Sequence, residues 1–314
     1  MALRFFKKNA NFDFLGKQKL FIAISLFLIM LSLISLFTRG LNYGIDFAGG
    51  VELQLRFKED KGIGFVRDTL KEIGYSESSV QKFGDVHEKE YLILFRSKLF
   101  KQGETEESVL GRFSTEVSTT FQKKLGGEEH VEVRRIDMVG AKVGSDLKQA
   151  GILSMLFALV LILIYIWFRF EYKFAPGAVV ALVHDVTITL GAFSFLQKEF
   201  NLTILAALLA IIGYSLNDTI VVFDRIRENI IVRSGEHFFQ IINKSINETL
   251  SRTILTSSTT LFVVVALFIY GGGVIHDFAF TLLIGIVVGT YSSIFIASPV
   301  LLWLHNREAQ KTKK

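Results

Sequence analysis

The chain has 314 residues, 50% of them hydrophobic, with a mean hydropathy of +0.42 and a formal net charge of +5. That length would fit two soluble domains of about 150 residues, but the apolar residues gather into long uncharged runs that need a bilayer, which excludes a simple cytosolic enzyme. The absence of Cys removes any disulfide framework or thiolate metal site, and two prolines with 21% charged residues argue against a disordered or linker-dominated chain.

A hydrocarbon core of about 30 Å needs about 20 helical residues. After a basic tail, residues 1–19, the first run of that kind is Leu20–Phe37. Basic residues precede it as in a signal peptide, yet the run is long and no convincing small-x-small cleavage site follows, so an uncleaved anchor is predicted.

Residues 38–148 change character. Tyr43-Gly44-Ile45-Asp46-Phe47-Ala48-Gly49-Gly50 comes first. Gly-rich turns can cradle phosphate, but no Lys-Ser/Thr follows and no helix opens here, so these glycines are read as a close backbone turn between span and strand. Val51–Phe57 then alternates apolar and polar residues, as a half-buried strand does. A short amphipathic helix, Phe65–Ile73, stops at Gly74, and strands follow at Ser79–Phe83 and Tyr91–Phe95. A second helix, Glu106–Leu125, ends at Gly126-Gly127, and Val131-Glu132-Val133 opens a last strand. Strand, helix, strand, strand, helix, strand is the split pattern of a small α+β ferredoxin-like domain. His87 and His130 each sit beside glutamates in charged, turn-like sequence and read as solvated surface, so no catalytic constellation is predicted in this domain.

Five further spans occupy residues 149–304: Gly151–Phe168, Phe174–Leu196, Leu202–Phe223, Ile254–Tyr270 and Phe278–Leu304, ahead of a tail, 305–314. The fold class predicted is a membrane all-α six-helix bundle carrying one ferredoxin-like domain. Between the fourth and fifth spans, residues 224–252 interleave Ile226, Ile230, Ile241, Ile242 and Ile246 with charges, which reads as an amphipathic segment along the membrane surface. Sixteen Lys and Arg fall in 1–19, 169–173, 224–252 and 305–314, against Lys198 alone in the opposite short loops. That bias places both termini in the cytoplasm and the large loop outside. The loop holds 18 basic and 19 acidic residues, so the +5 excess describes inner-leaflet anchoring and not nucleic-acid binding.

Polar residues inside the spans carry the functional signal. Asp218 lies six residues before Asp224, about 9 Å inside the end of the fourth span. An ionised carboxylate at a helix centre costs about 2.5–3.5 kcal/mol, so Asp218 must be protonated, paired or facing water. Such a group can take up and release protons as burial and a nearby cation oppose each other; the bland reading is a structural hydrogen bond between helices, which Asn217 and Thr219 could already supply. Arg252, at the entrance of the fifth span, is either that cation or a surface anchor. His184 and Asp185 sit about 15 Å into the third span, counted from Phe174, where the pair can relay protons or clasp the fourth span. Two ligands are too sparse for a metal. Gly285 and Gly289 form a Gly-x-x-x-Gly, and Ser257, Ser258, Thr259 and Thr260 offer hydroxyls for close packing.

Tyr43 to Gly50, the run Gly213 to Asn229 and Arg252-Thr253-Ile254-Leu255-Thr256-Ser257, with His184-Asp185-Val186, together resemble the SecD/SecF family of protein-export membrane proteins, on the SecF side, within the resistance-nodulation-division superfamily. The resemblance covers nearly the whole chain. It implies a non-enzymatic subunit, without cofactor, that with SecD uses the proton motive force to promote late steps of polypeptide translocation across the bacterial cytoplasmic membrane. The partners it implies are SecD, the SecYEG translocon, the translocating polypeptide and protons, with YajC and YidC as further candidates. Carried onto this sequence, the proton pathway is Asp218, Arg252, Asn217, His184 and Asp185, and the motif positions are Gly44, Asp46, Gly49, Gly50, Gly213, Asp224 and Arg225. The runner-up is a proton-driven exporter of small or lipidic solutes of the same superfamily. Those exporters usually carry two six-span halves with two large external loops, whereas this chain has one half and one small domain. A scaffold that moves no protons is the third reading, and an intramembrane Asp218 with Arg252 speaks against it on cost.

Overall fold

The computed structural model describes residues 12–76, 78–83, 89–95, 106–169 and 172–312. Helix α1 (Gln18–Thr38) leads into strand β1 (Asn42–Tyr43), a single helical turn α2 (Ile45–Ala48) and strand β2 (Gly50–Phe57). There follow α3 (Gly62–Glu72), β3 (Ser79–Phe83), β4 (Glu90–Phe95), α4 (Glu106–Leu125) and β5 (Val131–Val139). The rest is helical apart from β6 (Glu199–Phe200): α5 (Ala141–Arg169), α6 (Ala175–Leu196), α7 (Leu202–Val232), α8 (Phe238–Tyr270), α9 (Gly273–Ser292), a π-helical turn at Ser293–Ala297 and α10 (Ser298–Thr312). Six helical stretches among the described residues are long and apolar enough to cross a membrane, the last of them running through α9, the π turn and α10.

The sheet domain is ferredoxin-like, with antiparallel strands in the order β3-β4-β2-β5. Its alternation is that of a sheet with one covered face: Val51, Leu53, Leu55 and Phe57 turn inward, where Phe57 meets Phe121 of α4 edge-on at 5.3 Å. Residue His130 ends near Glu129, half-buried in a 3₁₀ turn, and His87 lies outside the described residues.

The bundle core is largely apolar, but lipid tails give apolar side chains no reason to prefer the interior, so small and hydroxylated residues can face inward where helices approach closely. Helix α1 shows this plainly. Its buried positions are Ser25, Ser32 and Ser35, while Leu26, Phe27 and Met30 stay exposed. Ser35 bonds Ser194 at 2.9 Å, Ser25 bonds the Tyr291 hydroxyl at 2.8 Å, and a methyl group on Gly191 would come within 2.2 Å of Ser32. The α1–α6 contact therefore depends on that glycine.

Two local expectations differ from the structure. Residues 224–252 form no separate surface helix: α7 and α8 run on through them and turn at 233–237. Of the isoleucines predicted to lie along the membrane surface, Ile226, Ile242 and Ile246 are buried in the main core, Ile230 packs against it, and Ile241 is buried as well. Helix does open in the Gly-rich segment, where α2 makes one turn before Gly49 (φ 70°) and Gly50 (φ 135°) take backbone conformations only glycine adopts easily.

Candidate functional site in the membrane bundle

Two carboxylates are buried in the bundle, Asp218 on α7 and Asp185 on α6. Asp218 is 3% exposed, and its Oδ2 lies 3.3 Å from Ser257 Oγ of α8 and 3.5 Å from Thr290 Oγ1 of α9. Those two hydroxyls are themselves 2.8 Å apart, so one can donate to the other while the second donates to the carboxylate. Asn217, the next residue, is exposed on another face of α7, as is Gly213, and Arg252 is exposed on α8. Among the described residues no ion pair joins Arg252 to Asp218; the guanidinium acts on the carboxylate only through its longer-range field.

The second carboxylate is held more tightly. Asp185 is 1% exposed, and His184, 2% exposed, meets its Oδ1 through Nδ1 at 2.8 Å. Its Oδ2 accepts from Ser215 Oγ of α7 at 2.5 Å and from Ser292 Oγ of α9 at 2.8 Å. The group thus ties α6, α7 and α9 together. Among the described residues His184 Nε2 has no hydrogen-bond partner, and the ring stacks on Tyr291 with centroids 6.0 Å apart. Ser215 and Asp218 are one helical turn apart, so both carboxylate sites share α7, and through Thr290 and Ser292 they share α9 as well.

Close approach of α7 and α9 makes this possible. A methyl group on Gly285 would come within 2.3 Å of Ile211, and one on Gly289 within 2.9 Å of Ser215, so the Gly-x-x-x-Gly brings the hydroxyls of α9 into range. Ser215, Ser292 and Thr290 were not singled out in the sequence as site residues; only their presence on apolar helices marks them, and hydroxyls are common there.

Gly44, Asp46, Gly49 and Gly50 gather elsewhere, at the N-terminal end of α7. The Gly44 amide donates to the Phe200 carbonyl at 2.9 Å, within a parallel pairing of β1 with β6. A Cβ at Gly44 would fall 2.2 Å from the Glu199 carboxylate, which explains the glycine. Asp46 Oδ2 accepts from the Leu202 amide at 2.9 Å, and Asn201 Oδ1 accepts from Ile204 at 3.1 Å, so two side chains satisfy the free amides at the start of the helix that carries Asp218. Gly49 packs where a Cβ on Gly144 of α5 would lie 3.0 Å from its amide nitrogen. Gly44, Asp46, Gly49 and Gly50 therefore join the sheet domain to α7 and do not reach either carboxylate site.

Asp224 and Arg225 belong to the other end of α7. Arg169 and Arg227 approach Asp224 at 3.1 and 3.3 Å, and Arg225 bonds Glu248 of α8 at 2.5 Å and Glu228 at 2.7 Å. In the sheet domain, hydrogen bonds from Lys82, then the Tyr91 hydroxyl, then the Gly62 amide hold the Asp60 carboxyl down at about 2, while burial and Asp60 push Tyr91 up to about 12. Among the described residues no group of three or more His, Asp or Glu could hold a metal ion.

Comparison with known proteins agrees with this layout. Residues 118–307 match the family model "Protein export membrane protein SecD/SecF, C-terminal", and residues 34–61 match "SecD/SecF GG Motif", the stretch that holds Gly44 to Gly50. The protein translocase subunit SecF of Magnetococcus marinus is 51% identical over 96% of this chain and 94% of its own length. The SecF subunits of Calditerrivibrio nitroreducens and Pseudomonas aeruginosa are 49% and 42% identical, with this chain covered to 94% and 95% and theirs to 95% and 93%. The crystal structure of SecDF, a translocon-associated membrane protein from Thermus thermophilus, superposes with a TM-score of 0.82 at 35% identity, covering 95% of this chain. A SecDF structure in a super-membrane-facing form gives 0.71 at 34% identity over 100% of this chain. This chain spans 39% and 41% of those two longer chains. With six membrane-crossing helices, a sheet domain entered through the Gly–Gly segment, and relatives matched nearly end to end, the chain is a multi-pass membrane protein that belongs to the SecF branch of the SecD/SecF family.

Proposed function

We propose that the chain works in Sec-type protein export as the partner of a SecD-like chain, using the proton motive force to promote late steps of polypeptide translocation across the bacterial cytoplasmic membrane. In this reading both termini and the α7–α8 turn lie in the cytoplasm, residues 38–148 lie outside, and SecYEG, with YajC and YidC, completes the machinery. The chain moves polypeptide without catalysing a covalent step.

The observation that carries the reading is Asp218, a carboxylate enclosed at membrane depth by two hydroxyls, with no cation in contact among the described residues. Keeping a charge there costs free energy, and a structural clasp needs no titratable group. The hydroxyl pair lets a proton arrive at or leave Oδ2 without the helix moving. Asp185, His184 and Ser215 supply the fixed frame next to it, and Arg252, whose field reaches the carboxylate, and Asn217, on the exposed face of α7, complete the proposed pathway. Along α7 that face is a stripe of exposed small or polar residues, Ala206, Ala210, Gly213 and Asn217, the kind of surface on which a second membrane helix packs closely. A SecD-like half is expected there, since the SecDF chains contain much more than this chain covers.

The test is Asp218→Asn, which keeps shape and hydrogen bonding but removes titration. It should insert, fold and bind its SecD partner, while gradient-dependent stimulation of export disappears and ATP-driven translocation persists. Near-normal gradient-dependent export at normal membrane levels refutes proton carriage by Asp218. Labelling of Ser78→Cys by an impermeant reagent from outside, with Ser234→Cys protected, checks the orientation.

A further inference from the structure

A groove of about 810 Å³ runs along the outside of the bundle between α1, α6 and α10. Ile22, Ile29 and Leu33 of α1 and Val180 and Val183 of α6 form its walls. At one end the mouth is polar, with Lys19, Gln18, Asn306 and Trp303. Among the described residues Lys19 meets no carboxylate and neither Gln18 nor Asn306 has a side-chain hydrogen bond. Trp303 is 56% exposed, and the Arg307 guanidinium lies over its ring at 5.1 Å, an arrangement suited to the boundary between headgroups and hydrocarbon.

The groove is long enough to cross one leaflet. From Lys19 to Leu33 the groove follows α1 for fourteen residues, about 21 Å, and a leaflet's share of the hydrocarbon core is about 15 Å. His184, about 14 Å from the start of its helix, lies against the inner part of the groove. A chain entering at Lys19 can therefore run down to the bilayer middle and stop over the imidazole whose Nε2 lacks a hydrogen-bond partner. Its methylenes would keep water away from the His184–Asp185 pair.

We infer that this groove binds a membrane phospholipid with an anionic headgroup, one acyl chain lying along α1 and α6 and the phosphate held by Lys19, with Gln18 and Asn306 as donors to the headgroup oxygens. A transmembrane helix of another protein fits less well. Helices associate in lipid through small residues that let backbones approach, and of the groove's lining residues only Ser25 and Thr187 are small, with no Gly or Ala. Branched aliphatic walls suit a flexible hydrocarbon chain, and an unpaired ammonium at the headgroup level suits a phosphate. The inference does not depend on proton coupling and survives if Asp218 proves to be structural.

The purified full chain, with its partner chain where that co-purifies, is exchanged into vesicles of equimolar phosphatidylglycerol and phosphatidylcholine, extracted, and the retained lipid counted by native mass spectrometry. Phosphatidylglycerol should be retained over phosphatidylcholine by about fivefold, the ratio that about 1 kcal/mol from one lysine near an anionic headgroup gives. Lys19→Gln should bring the two lipids to parity without lowering the total retained. Val183→Trp should remove the retained lipid by filling the groove; Val183 is 53% exposed, so the helix tolerates the larger side chain. Parity in the unmodified chain, or undiminished retention in Val183→Trp, overturns the proposal. A photoreactive residue at Ile29 gives a check free of folding effects: attachment to lipid supports the site, and attachment to another polypeptide overturns it.

Discussion

The Asp185 clasp can be weighed by removing its two hydroxyl donors singly and together. Ser215→Ala deletes a donor 2.5 Å from Oδ2, and Ser292→Ala deletes one 2.8 Å away whose proton is shared with the Gly289 carbonyl at 3.1 Å. Interhelical hydrogen bonds in membrane bundles average about 0.6 kcal/mol and reach about 1.7. The undivided, shorter bond of Ser215 belongs at the top of that range, about 1.7 kcal/mol, and the divided bond of Ser292 near about 0.6. Either single variant leaves Oδ2 with one donor. Removing both strands a buried carboxylate oxygen, which adds about 1–3 kcal/mol of unrecovered desolvation, so the double variant should lose about 3–5 kcal/mol in all. Reversible unfolding in bicelles, driven by steric trapping with tags placed on α6 and α9, reads these differences directly. The two single losses should be unequal, Ser215 above Ser292, and the double loss should exceed their sum by at least about 1 kcal/mol. Additivity within about 0.5 kcal/mol would show that the hydroxyls do not share an acceptor, and the clasp as described would be wrong. Export by Asp185→Asn separates the clasp from a relay: retained gradient-dependent export makes Asp185 a fastening, and its loss in a stable bundle places the residue on the proton route.

Three other outcomes are expected. Asp46→Ala should cost about 1 kcal/mol at the start of α7 and speed exchange of the Leu202 amide about fivefold, with Asp46→Asn nearer the parent; unchanged Leu202 exchange refutes the cap. Gly191→Ala places a methyl group 2.7 Å from the Ser32 Cα, so α1 must back away from α6 at a cost of about 1–3 kcal/mol, and a disulfide that forms between Ser35→Cys and Ser194→Cys should form far less in that background. Asp60, whose carboxyl sits at about 2 against an ordinary 3.8, contributes stability that is complete above 3.8 and lost as pH falls through about 2; Asp60→Asn should remove that part of the acid profile of exchange in β4, and identical profiles would contradict the Lys82 and Tyr91 hydrogen bonds.

The spans and the ferredoxin-like order were readable because each rests on a local period. Leu20–Phe37 is apolar on all sides and Val51–Phe57 alternates, and neither needs a partner to be recognised. The isoleucines of 224–252 misled for the same reason. Their spacing states that one face is apolar and leaves open whether lipid or a neighbouring helix covers it, and here α7 and α8 cover each other. Asp218 could be found by its cost alone. Its hydroxyl partners could not, since Ser257 is 39 positions away and Thr290 is 72, and Asp46 lies 156 positions from the amide it accepts from. The one-turn α2 was missed because its glycines read as breakers, whereas they serve as the residue before the turn and the bend after it.

Helix α7 is 31 residues long, about 46 Å, while the hydrocarbon core is about 30 Å. It is gripped beyond the membrane at both ends: by Asp46 and the β1–β6 pairing at one, and by Arg169 on Asp224 and Glu248 on Arg225 at the other. A shaft seized in both bearings cannot slide or spin freely. Any turn forced on its middle, where Asp218 sits, has to leave as torque, into the sheet domain through the Gly44–Gly50 coupling and into the α7–α8 hairpin through the ion pairs. The same stiffness works in reverse, so a pull on the sheet domain is felt at the buried carboxylate about 24 Å away along the helix.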